Sequence, residues 1–238
     1  GGPVYLLRLR ASAPGATWQA GDIAEIELPG LADDATGHPP HRSYSIASLP
    51  EDGALDLIVR QVRHDNGQLG AGSGWLTHHA PVGATVPLRI RRNSSFHPPE
   101  APRPLILIGN GTGLAGLRAH LKAQAARGQT RNWLIFGERN RAHDFLLREE
   151  IEGWQASGVL ERLDLAFSRD QNARLYVQHR LLEARHLVAE WAAQGAAIYV
   201  CGSAEGMAGG VHDALVDILG PAQMEQLTER GLYRRDVY

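Results

Sequence analysis

The sequence is nearly without cysteine. One Cys, at position 201, stands among 238 residues, so the chain closes no disulfide within itself and builds no thiolate metal site. A reducing, cytoplasmic setting is the expected one. An excess of charge is also missing: 24 Lys+Arg face 26 Asp+Glu, net −2, and no basic block occurs. That balance leaves no electrostatic footprint for a nucleic-acid backbone or an anionic membrane surface, and neither partner is expected. No apolar run nears the roughly 20 residues that a bilayer helix requires. The start, Gly1-Gly2-Pro3-Val4-Tyr5, has neither a basic segment nor an apolar one behind it. An initiator Met is absent as well, which motivates the expectation that the chain is excised from a longer parent, one that could itself be membrane-tethered. The 11 His show no H-E-x-x-H or comparable spacing: His38 and His41 fall in a Pro-rich loop and His78-His79 are adjacent, so no metal is expected. A G-x-S-x-G nucleophile elbow is lacking too, and with it any motif for a hydrolase of that kind.

What is present is a globular composition, 43% hydrophobic, with 27 Gly and 13 Pro spread without period. The length suits one large or two ordinary domains. Up to about residue 100, Val4 to Leu9, Ile23 to Leu28, Ser43 to Ala47, Leu55 to Val62 and Thr85 to Arg91 read as short strands between Gly, Pro, Asp and His clusters. They predict a small antiparallel β-barrel. Ser94 to Pro104, with Pro98-Pro99 and Pro102, reads as an inter-domain linker. Beyond it, fully apolar runs such as Leu105 to Gly109, Trp133 to Gly137 and Ala197 to Val200 alternate with helical spacing, as in Leu114 to Ala126 and Met207 to Leu219. Strands buried on both faces and separated by helices predict a parallel sheet of βαβ units. The chain therefore divides into an antiparallel β-barrel domain, residues 1–101, and an α/β parallel-sheet domain, residues 102–238.

Four segments carry chemistry. Gly109-Asn110-Gly111-Thr112-Gly113 joins an apolar strand to a helix, where glycines let backbone N–H groups approach a phosphate, although the same turn also serves plain tight packing. Phe167-Ser168-Arg169, followed by Arg174, Tyr176 and Gln178, sits at the end of a later strand. Two guanidinium groups, a hydroxyl and a ring there can grip a phosphate monoester and stack on an adenine, or be an ordinary solvated loop. In Arg42-Ser43-Tyr44-Ser45-Ile46-Ala47-Ser48 the strand period puts Arg42, Tyr44 and Ile46 on one face and Ser43 and Ser45 on the other. An Arg can pair with a pyrophosphate and a Tyr can cover a flat heterocycle, or the segment is a polar edge strand. Gly70 to Leu76, G-A-G-S-G-W-L, reads as a short helix start or a flexible turn.

The strings R-S-Y-S-I-A-S, G-A-G-S-G-W-L, G-N-G-T-G-L-A-G-L-R, F-G-E-R with D-F-L, F-S-R with R-L-Y-V-Q, Y-V-C-G and the terminal R-R-D-V-Y, in this order, resemble the ferredoxin-NADP reductase superfamily from about residue 4 to the end. The F-S-R-D-Q segment, Y-V-C-G and R-D-V-Y are most similar to the reductase module of sulfite reductase flavoprotein and cytochrome reductase-type diflavin enzymes. The resemblance implies an FAD-binding barrel and an NADPH-binding α/β domain. Arg42 would then hold the FAD pyrophosphate, with Gly72 and Ser73 completing the grip; Tyr44 would pack on the flavin and Ser45 would bond near its N5. Gly111, Thr112 and Gly113 would receive the NADPH pyrophosphate, and Ser168, Arg169, Arg174, Tyr176 and Gln178 its phosphorylated adenosine end. Cys201 and Asp236 would flank the nicotinamide, and Tyr238 would cover the second flavin face and move aside for it.

The chain departs from the family pattern at Ala115-Gly116, where Pro is usual after Ala, at Ser203 and at Gly210, both commonly acidic positions. The implied reaction is hydride transfer from NADPH to FAD, then single electrons to an FMN-binding flavodoxin-like domain or protein. No such FMN domain fits within 238 residues. Two alternatives stand beside it: a free-standing NADPH-dependent reductase of ferric chelates or quinones, and a regulatory module that keeps the nucleotide pockets without the chemistry.

Overall fold

The computed structural model describes residues 2–12, 15–28 and 40–238, so Gly1 and His38 lie outside the described residues. In the N-terminal part, β1 (Val4–Leu9) pairs antiparallel with β4 (Leu55–Arg60). There β2 (Ile23–Glu27) is the centre of a second antiparallel sheet, between β3 (His41–Ser45) and β5 (Leu88–Arg91). Alternate side chains of β2 and β4 turn inward as Ala24, Ile26, Leu55, Leu57 and Val59, and Ile46 just after β3 and Leu76 from a helical turn complete this apolar cluster. Among the described residues one isolated bridge, Ile46 to Leu57, links the two sheets. The Gly70 to Leu76 stretch is helical: α1 (Ala71–Gly74) runs on into a π-helical turn, Trp75–His79.

Beyond residue 104 the sheet is parallel. It contains β6 (Leu105–Asn110), β7 (Asn132–Glu138), β8 (Arg162–Phe167), β9 (Ala197–Gly202) and β10 (Tyr233–Val237), in the spatial order β10-β9-β6-β7-β8. The helices are α2 (Leu114–Ala126), α3 (Arg141–Asp144), α4 (Arg148–Ala156), α5 (Val177–Glu183), α6 (Arg185–Ala193), α7 (Gly209–Leu219) and α8 (Pro221–Glu229). Every residue of β9 is buried, as a strand covered on both faces requires. The winding goes from β6 outward to β8, then restarts on the other side with β9. That reversal opens a crevice at the carboxyl ends of β6 and β9, where open α/β sheets bind ligands. None of the helices among the described residues is long and apolar enough to cross a membrane.

Helix α2 is buried along nearly its whole first two turns, polar Arg118 and His120 included. It is enclosed because the parallel sheet packs on one side of it and the antiparallel sheets on the other. The Arg118 guanidinium, for instance, reaches the Ala47 carbonyl at 2.7 Å and Asp56 at 3.0 Å. Such a helix has no one-sided apolar stripe.

The proline-rich segment read as a linker is packed rather than loose. Phe96 is fully buried, its ring edge-on to His120 and Tyr199. His97 meets Asp22 at 2.6 Å, and the Tyr199 hydroxyl donates to the His97 carbonyl at 2.8 Å. An aromatic side chain supplies enough apolar surface to anchor a segment that prolines keep out of helix and sheet. Three elements had no counterpart in the reading of the sequence: the short α3, α8, and the C-terminal strand β10.

Candidate active site

At the carboxyl end of the parallel sheet, β10 lies beside β9 with Asp236 opposite Cys201. From the antiparallel part, β3 brings Ser45 to the same point. The Ser45 hydroxyl donates to Asp236 Oδ2 at 2.9 Å, and Cys201 Sγ donates to the same oxygen at 3.9 Å. Three residues spread across the chain thus form one cluster. Burial pushes the Asp236 carboxyl up, against the pull of the Ser45 hydrogen bond. Burial, and next the Asp236 charge, push the Cys201 thiol far up as well, so it stays a thiol and is no nucleophile. Cys201 is fully buried and stands behind Asp236 rather than on a cavity wall.

Two cavities flank this cluster. The first, about 660 Å³, is walled by Arg42, Ser43, Tyr44 and Ser45 of β3, by Gly72 and Ser73 of α1, and by Arg91, Asp236 and Tyr238. Gly72 is required by a close approach: a Cβ there would lie 2.6 Å from Arg42 Cγ and 2.9 Å from the Tyr44 hydroxyl. The Ser73 hydroxyl accepts the Val62 N–H at 3.0 Å, which ties α1 to the strand side of the cavity.

The second cavity, about 670 Å³, is walled by Asn110, Gly111 and Thr112 after β6, by Glu138 and Arg139 after β7, and by Ser168, Tyr176, Gln178 and Ser203. The glycines of the turn divide in purpose. Gly111, at φ +55°, faces the cavity, whereas a Cβ on Gly113 would lie 2.1 Å from the Cys201 carbonyl oxygen, so Gly113 serves tight packing of the turn on β9. Arg169 and Arg174 are exposed and do not wall the cavity. Gln178 Oε1 is buried and has no hydrogen-bond partner among the described residues.

Tyr238, Thr112 and Arg60 belong to both walls. The Tyr238 hydroxyl lies 3.1 Å from Thr112 Oγ1. Its N–H donates to the Gly202 carbonyl at 3.1 Å and its carbonyl accepts the Ala204 N–H at 2.8 Å, so this residue is fastened on three sides rather than frayed. Reading the sequence left Arg60, Arg91, Glu138 and Arg139 unassigned, although all four line the cavities. Arg139 stands in the F-G-E-R string, and Arg60 is the one cation closing the apolar run of β4; each was a visible signal.

Residues 107–213 match the family model of the oxidoreductase NAD-binding domain. Over 214 residues the chain is 41% identical to the sulfite reductase (NADPH) flavoprotein alpha-component of Vibrio cholerae serotype O1, a match covering 83% of this chain and 35% of that protein. The proteins of the same name from Photobacterium profundum (38% over 214 residues, 83% of this chain and 35% of the relative) and Bacillus subtilis (34% over 216 residues, 84% and 36%) match similarly. The chain thus spans about a third of the length of these curated relatives.

Proposed function

The chain is a ferredoxin-NADP reductase-like module, and from that premise we propose that it moves hydride from NADPH to FAD and delivers single electrons to an FMN-binding flavodoxin-like domain, fused or separate. In this reading residues 1–101 are the FAD-binding domain, built on two antiparallel sheets that share one apolar core, and residues 102–238 the NADPH-binding domain. The observation that carries it is the pair of near-equal cavities that share Arg60, Thr112 and Tyr238 as walls, with the hydrogen-bonded Ser45 and Asp236 lining the first of them.

The residues fit both groups. Arg42 and the Tyr44 ring, which the missing side chain of Gly72 lets pack close against α1, suit a pyrophosphate beside a flat heterocycle. The glycine turn with Arg139, and the unpartnered Gln178 Oε1 beside Tyr176, suit a dinucleotide ending in a base. When bound, NADPH supplies the hydride, and FAD the ring that accepts it and releases electrons one at a time. The protein's part is to hold two rings at contact distance between fixed walls. Ser45 offers a hydroxyl at that contact, and Asp236 supplies negative charge where positive charge develops. Tyr238, which lines both cavities, would cover a flavin held in the first, and its side chain would have to release Thr112 and swing aside to admit a nicotinamide. In this reading Arg169 and Arg174, exposed and in the segment that follows Ser168, would take the 2′-phosphate and favour NADPH over NADH.

Anaerobic addition of nucleotide to the purified yellow protein tests this. NADPH is expected to bleach the flavin absorbance rapidly, and NADH at least about tenfold more slowly at equal concentration, a difference of about 1.4 kcal/mol. A colourless or unresponsive protein would sink the proposal.

A further inference from the structure

We infer that Glu138 is a resident stand-in for phosphate: its carboxylate holds the anion position that a dinucleotide's diphosphate takes, and the two compete for Arg60. The inference rests on reading the second cavity as the nucleotide site. Glu138 is the last residue of β7 and lines that cavity; Arg60 is the last residue of β4, from the antiparallel part, and lines both cavities. Glu138 Oε1 is ion-paired with Arg60 Nη2, and Oε2 accepts the Arg139 N–H at 3.0 Å. The Glu138 side chain is 5% exposed and that of Arg60 24%. A Cβ placed on Gly111 would lie 3.6 Å from Glu138 Oε1 and 4.0 Å from Arg60 Nη2, so the pair sits directly over the glycine turn.

A guanidinium and a backbone N–H converging beside a glycine-rich strand-to-helix turn form an anion site. Here the anion is a side chain of the protein. Burial pushes the Glu138 carboxyl above its ordinary range despite the opposing pull of Arg60, so the carboxylate gains hydration when it leaves. An entering diphosphate repels it by like charge and takes over Arg60. On departure of the nucleotide Glu138 recovers its partner. The arrangement lowers nucleotide affinity and hastens release of the oxidised product, which in reductases of this kind must leave before the next turnover.

Isothermal titration of the purified full chain with NADP⁺ and with adenosine 2′-monophosphate, which has the 2′-phosphate and no diphosphate, tests the inference. Glu138→Gln, isosteric and uncharged, is expected to tighten NADP⁺ binding about tenfold and leave adenosine 2′-monophosphate unchanged. Glu138→Ala should act in the same direction, giving a second variant should the first fold poorly. Arg60→Ala should weaken NADP⁺ binding and abolish the gain from Glu138→Gln in the double variant. Unchanged NADP⁺ affinity in both Glu138 variants, or equal tightening for both ligands, overturns the inference while wild-type binding leaves the nucleotide reading standing. If the wild-type chain binds neither ligand, that reading falls and takes the inference with it.

Discussion

Asp236 joins function to a stability cost at a single residue. Its carboxyl is pushed up by burial and is held by Ser45, while Cys201, also buried, leans on the same oxygen. A carboxyl with a raised folded pKa binds its proton more tightly folded than unfolded. The cost to stability is therefore absent at low pH, grows as pH rises from the free value of 3.8 through the raised folded value, and is constant above it. Asp236→Asn keeps a partner for the Ser45 hydroxyl and removes the desolvated charge. Thermal unfolding is expected to show a higher Tm at pH 7, with the gain vanishing below about pH 4, while NADPH-driven flavin reduction slows. A lower Tm at pH 7 would contradict this account. The glycines that break the family pattern also find reasons at this scale. A Cβ on Gly116 would press on Cys201 Sγ at 3.1 Å and Phe96 Cε1 at 3.3 Å, and one on Gly210 would lie 2.9 Å from Gln178 Nε2. Gly116 lets α2 settle against the cluster, and Gly210 leaves room for Gln178 in the second cavity wall.

Among the elements, α2 joins the two parts of the molecule. Arg118 donates through Nε and Nη2 to both Glu150 oxygens, at 2.7 and 3.0 Å, and through Nη1 to Asp56 and the Ala47 carbonyl. Asp56 in turn receives two bonds from Arg8. One guanidinium therefore ties α4, β4 and the end of β3 to the helix that opens with the Gly111 to Gly113 turn. Arg118 is 5% exposed and Asp56 1%, so removing the cation takes the donor from the Ala47 carbonyl, leaves Glu150 without its guanidinium and leaves the buried Asp56 charge with Arg8 alone. Arg118→Met is expected to lower the unfolding free energy in urea by about 3–5 kcal/mol. Lys122→Ala, which breaks the more exposed Lys122 to Asp52 pair on the same helix, should cost less than about 1 kcal/mol. Equal effects of the two substitutions would show that burial of the Arg118 cluster is not what matters.

Over the whole molecule, the two parts are held in register by contacts that answer to acid. Burial pushes the Asp22 carboxyl up, yet hydrogen bonds from His97, the Asn93 N–H and the Gln19 N–H bring it net below its ordinary value. Because the folded pKa is depressed, the stabilisation is complete above the unfolded value of 3.8 and is lost as pH falls through the folded value. Asp22 fastens the segment that leads from the antiparallel sheets into β6, so its protonation loosens the joint between the cavities. Acid unfolding is expected below about pH 4, and Asp22→Asn should reduce stability at neutral pH while flattening that acid limb. A variant with an unchanged acid limb would place the acid-sensitive group elsewhere.

Much of this was open to reading from local demands on the backbone. Continuous apolar runs announced β6, β7 and β9, and alternating ones announced the antiparallel strands, because burial on one face or two dictates the pattern directly. The glycine turn and the R-S-Y-S strand were visible for the same reason: a close approach or a polar face leaves its mark within a few residues. Tertiary structure alone decided the rest. Nothing near Val237 signals a strand, since β10 exists by pairing with β9, whose neighbour it becomes only after α7 and α8 have turned the chain back. Ser45 and Asp236 are 191 positions apart and Arg60 and Glu138 78 apart. Partnerships of that span depend on how two layers pack across α2, and single side chains at such distance carry no periodicity that could announce them.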